Sequence, residues 1–225
     1  MAHCTSPEAE KILDKRFKVL DKGFVRLVDY LGNDQRIVQA ARVNEISGRY
    51  SVMTEELYVP AAEHVALQSE DNKQGRSSKK TSARLQKEVR GLLEKGQKEA
   101  YRQYGILLKS NIARELARIT LPLSLYTEWY WQIDLHNLFR FLKLRLDEHA
   151  QLEIRKYAEV LHEVGQKVCP TAFEAFDEHI LNSTTFSKSE MTALRNMLAS
   201  KEPGLEGKPY ERFLKKLKSN QSYRK

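Results

Sequence analysis

The sequence predicts a largely helical α/β (α+β) single domain with a small antiparallel sheet. Three observations predict it. The chain has 225 residues, 41% hydrophobic and 30% charged, enough for one large domain with a proper core. Residues 17–31 alternate around an Asp21-Lys22-Gly23 turn signal, which is the pattern of a hairpin. From Arg84 onward, apolar residues recur at three-and-four spacing, the mark of successive amphipathic helices. On this pattern the chain divides into a loose lead-in over residues 1–16, a body over 17–181 and a basic helical extension over 182–225.

In the hairpin, Phe17, Val19 and Leu20 precede the turn and Phe24–Leu31 follows it. Gly32-Asn33-Asp34 punctuates the end, and Asp34 is placed to cap a helix over Gln35–Arg42 with Ile37, Val38 and Ala41 inward. Asn44–Tyr50, NEISGRY, is too polar for a core element. Its Ser47-Gly48 pair lets backbone amides approach a ligand closely, although an ordinary surface turn has the same composition. Gln68–Lys80 has no periodicity and reads as a mobile loop or lid.

A helix is predicted over Arg84–Lys109, with Leu85, Val89, Leu92, Leu93, Ala100, Tyr104, Leu107 and Leu108 at core spacing and Gly91 and Gly96 weakening it slightly. Asn111–Ile119 presents Ile112, Leu116 and Ile119 on one side and Arg114 and Arg118 on another, and Pro122 ends it. Two arginines one turn apart can grip a phosphate, or pair with Glu115 or Glu128.

Trp131–Gln151 continues the helical pattern, which runs on through Ile154, Tyr157, Ala158, Leu161 and Val164 to Gly165. At roughly 100° per residue, Asp134 and Arg145 return to one face about 16 Å apart, joined by Leu138, Phe141 and His149. Charges among apolar residues need partners or a ligand, so this face is either a site or an internally paired stripe. Cys169-Pro170 then breaks the run, and Thr171–Leu181 supplies a short helix around Phe173 and Phe176. Ser187 and Glu190 form a capping box for a helix ending before Pro203, and Pro209 opens a last helix through Leu217.

A net charge of +8 points to anionic partners: nucleic acid, a phosphate-bearing metabolite or an acidic membrane surface. Much of the excess lies in Lys73–Lys98 and Lys208–Lys225, where a solvated face is the plainer explanation. The N-terminus lacks the apolar core of a signal peptide and no run of about 18 apolar residues occurs, so a cytoplasmic protein with no membrane partner is expected. Cys4 and Cys169 form neither a disulfide framework nor a metal set, and no metal is expected. There is no glycine-rich phosphate loop and no serine-histidine-acid spacing.

Three blocks, taken together and in order, resemble the flavin-dependent thymidylate synthases. They are Gly23–Val43 (GFVRLVDYLGNDQRIVQAARV), Asn44–Pro60 beginning NEISGRY, and Ala113–Phe176 with its Leu121-Pro122-Leu123, Trp129–Arg145 and His149-Ala150-Gln151 motifs. Gln68-Ser69 with Asn72-Lys73-Gln74-Gly75-Arg76 resembles a loop common in the family. The resemblance implies a homotetramer binding FAD and deoxyuridylate (dUMP) in clefts shared between subunits. It implies reductive methylation of dUMP to thymidylate, with 5,10-methylenetetrahydrofolate giving the carbon and NADPH recharging the flavin.

By that resemblance Glu45, Ile46, Ser47, Gly48, Arg49, Arg118 and Arg145 would meet dUMP. Arg145 would act catalytically at the uracil edge, where a fixed cation favours the deprotonated ring. Glu45, Asp134, Leu135, His136 and Arg140 would meet FAD, with Arg140 standing where the family more often has Asn or His, and Asp147 and His149 would support Arg145. One departure is plain. The family's signature begins with an Arg-His-Arg triplet preceded by several tens of residues, whereas here Val43 runs directly into Asn44. The alternatives are a basic nucleic-acid-binding protein on the same scaffold, using Lys79, Lys80, Lys215 and Lys216, and a methylase of another uridine nucleotide.

Overall fold

The computed structural model describes residues 6–30, 42–70 and 75–219, in two compact units spanning 1–168 and 169–225. In the larger unit, β1 (Arg16–Val19) and β2 (Gly23–Arg26) form the predicted antiparallel hairpin, with Phe17 opposite Val25 and Val19 opposite Gly23. Its second arm is shorter than predicted, ending in a single bridge between Leu13 and Leu27. Gly23 is required there because a Cβ would collide with the Tyr157 hydroxyl. The described part of the lead-in, from Ser6 on, is not loose. Helix α1 (Glu8–Ile12) buries Ala9 and Ile12 and packs against α5 (Leu152–Val168), and the Ser6 amide donates to the Val168 carbonyl at 2.8 Å. The predicted helix after Asp34 lies outside the described residues except for Arg42, which opens a strand.

That strand, β3 (Arg42–Glu45), pairs antiparallel with β6 (Trp129–Gln132). Within Gln68–Lys80, residues 76–80 are corrected from loop to strand: β5 (Arg76–Lys80) pairs antiparallel with β4 (Ala66–Gln68). Its polar side chains hide the strand because backbone pairing, not burial, holds it. Each sheet among the described residues is a two-stranded ribbon.

Helix α2 (Ala83–Lys109) starts at Ser82, whose hydroxyl accepts from the Leu85 amide at 3.3 Å. Its inward stripe keeps the predicted Tyr104, which is buried, but differs elsewhere: Leu92 is 67% exposed, while Gln97 is buried. The reason is polar. Gln97 Nε2 donates to the Tyr58 carbonyl at 2.8 Å and to Ser124 Oγ at 2.9 Å, and Tyr101 and Tyr104 bond the backbone of Met53. Met53, Tyr104 and Ala117 form a buried cluster with Leu107, Leu108, Leu121 and Leu125 against it. The predicted second helix is shorter, α3 (Arg114–Ala117) followed by a 3-10 turn over Arg118–Thr120. It buries Ala117 and leaves Ile112, Leu116 and Ile119 exposed.

The long helix expected through Trp131–Gly165 is two helices. Trp131 and Gln132 belong to β6, α4 covers Leu135–Arg145, and a turn precedes α5. Helices α4 and α5 pack together, and β1 and β2 lie on α5. At the start of α5, Glu153 accepts from the Tyr58 hydroxyl at 2.9 Å and pairs with Arg76 of β5. Burial pushes the Glu153 carboxyl up, but the Arg76 guanidinium and Tyr58 hydroxyl outweigh it and hold the group below its ordinary value. Tyr58 is itself pushed up to about 12, chiefly by burial and then by Glu153.

A depressed carboxylate stabilises the fold above its unfolded pKa, and that contribution disappears as pH falls through the folded value. Glu153→Gln is therefore expected to flatten the acid limb of a plot of urea midpoint against pH, over roughly pH 5 to 3. Identical limbs in both proteins would remove Glu153 from the account.

The smaller unit begins with α6 (Pro170–Phe176), which has Pro170 at its first position. It buries Phe173 and Phe176 edge to face and runs into a π turn over Asp177–Leu181. The predicted capping box of Ser187 and Glu190 opens α7 (Lys188–Leu198). Helix α8 spans Gly207–Ser219, starting two residues before Pro209, and buries Phe213 against Phe186.

Candidate active site

The site residues fall into two groups, both built on the β3–β6 ribbon. Glu45 ends β3 opposite Trp129, and its Oε1 accepts from Thr127 Oγ1 at 2.5 Å. The Ile46 amide extends the ladder to the Glu128 carbonyl at 2.9 Å. The chain then turns sharply: the Tyr50 and Ser51 amides both donate to the Ser47 carbonyl at 3.0 Å, and Ser47 Oγ accepts from the Arg49 amide at 3.3 Å. NEISGRY is thus half strand and half turn, not a loop throughout.

Helix α3 holds this turn from outside. Arg114 Nη1 donates to the Tyr50 carbonyl at 2.6 Å, and Arg49 Nε lies 3.5 Å from a Glu115 carboxylate oxygen. Gly48 is buried, and a Cβ there would sit 3.3 Å from Arg118 Cδ and 3.4 Å from Met53 Sδ. The fold therefore brings Ser47, Gly48, Arg49 and Arg118 together although about 70 residues separate the two segments. The Arg49–Glu115 pair is exposed on both sides. Such a pair contributes little to stability, so an anionic ligand can take Glu115's place.

The second group lies on α4. Asp134 caps it, accepting from the Asn137 amide at 2.9 Å and from Asn137 Nδ2 at 2.7 Å. The Asn137 amide, foremost, holds the Asp134 carboxyl below its usual range. Leu135 and His136 form the first turn, Arg140 follows His136 by one turn with both exposed, and Arg145 is the last residue, also exposed. The helix buries Leu142 completely, and Trp131 packs edge to face on Phe141 at 5.2 Å.

The single stripe of Asp134, Arg145 and His149 does not form. Asp134 is a cap and His149 sits in the turn beyond α4. Among the described residues, no hydrogen bond or ion pair joins Arg140 or Arg145 to the Arg49–Arg118 group. Sequence reasoning missed Thr127 and Glu115 as holders of Glu45 and Arg49. It also missed Asn137, for which the Asp-x-x-Asn spacing was the available signal. Of the four lysines considered for nucleic acid, Lys79 pairs with Glu70 at 3.3 Å and Lys216 with Glu190 at 2.7 Å. Among the described residues no helix is long and apolar enough to cross a membrane.

Residues 35–171 match the family described as thymidylate synthase complementing protein, and residues 184–222 match the thymidylate synthase ThyX C-terminal domain. A flavin-dependent thymidylate synthase of Treponema denticola is 48% identical, aligned over 92% of this chain and 98% of its own. The chain belongs to this family. A namesake from Treponema pallidum is 45% identical over 97% of this chain and 90% of its own. Crystal structures of the UMP/dUMP methylase PolB from Streptomyces cacaoi also match. The one bound with 5-Br UMP aligns at 29% identity and a TM-score of 0.57, over 61% of this chain and 64% of that one. The one bound with 5-Br dUMP has a TM-score of 0.55. The alignment with the T. denticola family member runs over 262 positions against 225 residues here, so at least 37 of those positions have no residue in this chain.

Proposed function

We propose that the protein catalyses the reductive methylation of dUMP to thymidylate, with FAD bound and with 5,10-methylenetetrahydrofolate and NADPH as co-substrates. The seating of the Ser47–Arg49 turn against Arg118 supports this most directly, because it brings the Arg118 side chain against the buried Gly48, next to Arg49 in the chain. A dianionic phosphate is suited to such a set. In this reading Glu45, Ile46, Ser47, Gly48, Arg49 and Arg118 hold the nucleotide, and Arg145 is the fixed cation at the pyrimidine edge. There it favours negative charge on the ring in the transition state.

The residues available for FAD fit that group. His136 and Arg140 stand one turn apart on the exposed side of α4, with Asp134 and Leu135 beside them and Glu45 at the ribbon end. A pyrophosphate suits the cations, and the polar edge of the ring system suits the donors and acceptors. The flavin supplies the hydride.

The reading includes a cytoplasmic homotetramer with shared sites. Ile119, at 74% exposure, and Leu116, Ile112 and Leu123 near it in sequence are exposed apolar residues of the kind that contact between copies would cover. It also places the positions missing relative to the family after Val43, with residues 17–181 as the catalytic region and 182–225 as an extension to it. The likeness to PolB favours a second reading in which uridylate is also accepted. The Lys216–Glu190 pair, whose carboxylate is largely buried, weighs against nucleic acid.

The purified protein should be yellow and should oxidise NADPH faster when dUMP is added. Comparing dUMP with uridylate at equal concentration separates the two substrates. A colourless protein that takes up no FAD on addition would sink the proposal.

A further inference from the structure

Beyond Arg145, the turn between α4 and α5 holds a second arrangement with chemical capacity. Asp147 Oδ1 accepts from the His149 backbone amide at 2.8 Å and meets His149 Nδ1 at 2.9 Å. The Asp147 carboxyl is held below its usual range, first by that amide, so it is ionised and can only accept. Nδ1 therefore carries the hydrogen, and in the neutral ring the lone pair lies on Nε2. The His149 side chain is 70% exposed, and Glu148 Oε1, at 4.0 Å, is beyond hydrogen-bond reach of Nε2. Arg155 Nη1 fixes the same turn by donating to the Glu148 carbonyl at 2.7 Å. The charged groups facing the ring are thus Asp147, Glu148 and, through the turn, Arg155. Paired side chains on a surface turn usually do no more than fix the backbone, but this ring is oriented with its basic nitrogen outward, four residues from Arg145.

The geometry points to His149, oriented by Asp147, as the group that accepts the proton lost from the pyrimidine ring. The inference rests on the proposed function. Methylating a ring carbon that begins with one hydrogen requires that hydrogen to leave. As the C–H bond breaks, its electron pair forms a C=C bond to the adjacent carbonyl carbon, whose π pair moves onto the carbonyl oxygen, and the proton bonds to Nε2. The imidazolium keeps its Nδ1 hydrogen on Asp147 and passes the other to water. A base placed in this way contributes on the order of a hundredfold or more.

The test uses the full chain with FAD and dUMP. His149→Asn keeps a donor toward Asp147 but has no basic nitrogen. It should lose the acidic limb of the kcat–pH profile and on the order of a hundredfold in kcat, while binding dUMP with unchanged heat in calorimetry. In ¹⁵N-histidine spectra, the wild-type ring should show a hydrogen on Nδ1, and its Nε2 signal should move when dUMP binds. A His149→Asn variant with the wild-type pH profile, or an Nε2 signal that stays still while dUMP binds, overturns the inference and leaves the proposed function standing. Absence of any dUMP heat in the wild type defeats the proposed function, and this inference with it.

Discussion

Arg145→Ala is expected to remove most turnover and leave the fold nearly intact, whereas Leu142→Ala, three residues earlier on α4, is expected to do the reverse. Arg145 is exposed at the last position of the helix. Among the described residues no hydrogen bond or ion pair holds it, so beyond a small favourable interaction with the helix C-terminus its replacement falls with exposed substitutions that usually change stability by about 0.5 kcal/mol or less. In the proposed reaction it faces charge that develops on the pyrimidine. Losing one such preorganised group typically costs about 10²–10³ in kcat. Leu142 is fully buried, and truncating a core leucine costs about 2–5 kcal/mol through lost transfer energy and the cavity left behind. Steady-state kinetics with a denaturant midpoint on each variant checks both. Equal losses in the two assays for Arg145→Ala would mark this end of α4 as structural. The helical pattern alone singles out Leu138 for the buried role, but Leu138 is only half-buried and Leu142 takes that place.

That one-turn difference shows what was legible. The hairpin of β1 and β2, the span of α2 and the capping box of α7 could be read because period or cap chemistry fixes each locally. The break between α4 and α5 could not. Apolar spacing continues across it, and the interruption comes from Asp147 binding the His149 amide and from Arg155 binding the Glu148 carbonyl. Local side-chain bonds of this kind compete with helix without changing the hydrophobic pattern. The inner face of α2 was hidden for a related reason: Gln97 is buried as a hydrogen-bonding bridge, so the polar residue faces in and Leu92 faces out. In the candidate site, Asp134 was legible as a charge that needs a partner, but its partner Asn137 was not recognised. The meeting of Gly48 with Arg118 has no local signature at all. Only the resemblance of separate blocks to one family joined the two segments in advance.

Gly48→Val is expected to weaken dUMP binding by about tenfold or more, equivalent to about 1.4 kcal/mol, while Gly48→Ala should stay close to wild type. A Cβ at Gly48 would lie 3.3 Å from Arg118 Cδ, 3.4 Å from Met53 Sδ and 3.5 Å from Met53 Cγ. Met53 is buried against Tyr104 and Ala117 and has little room to retreat, whereas Arg118 is exposed and can swing outward. One methyl group asks Arg118 for a few tenths of an ångström. The two further methyl groups of valine press harder on the Arg118 stem and are expected to displace its guanidinium. Because a phosphate clamp works by holding two guanidinium groups at fixed positions, a displacement of about 1 Å is enough to lose affinity. Overpacking of this size costs about 1–3 kcal/mol of stability at most sites, so calorimetry with dUMP is paired with a denaturant midpoint. A Gly48→Val protein that stays folded and binds dUMP as tightly as wild type would show that Arg118 does not reach the nucleotide across Gly48.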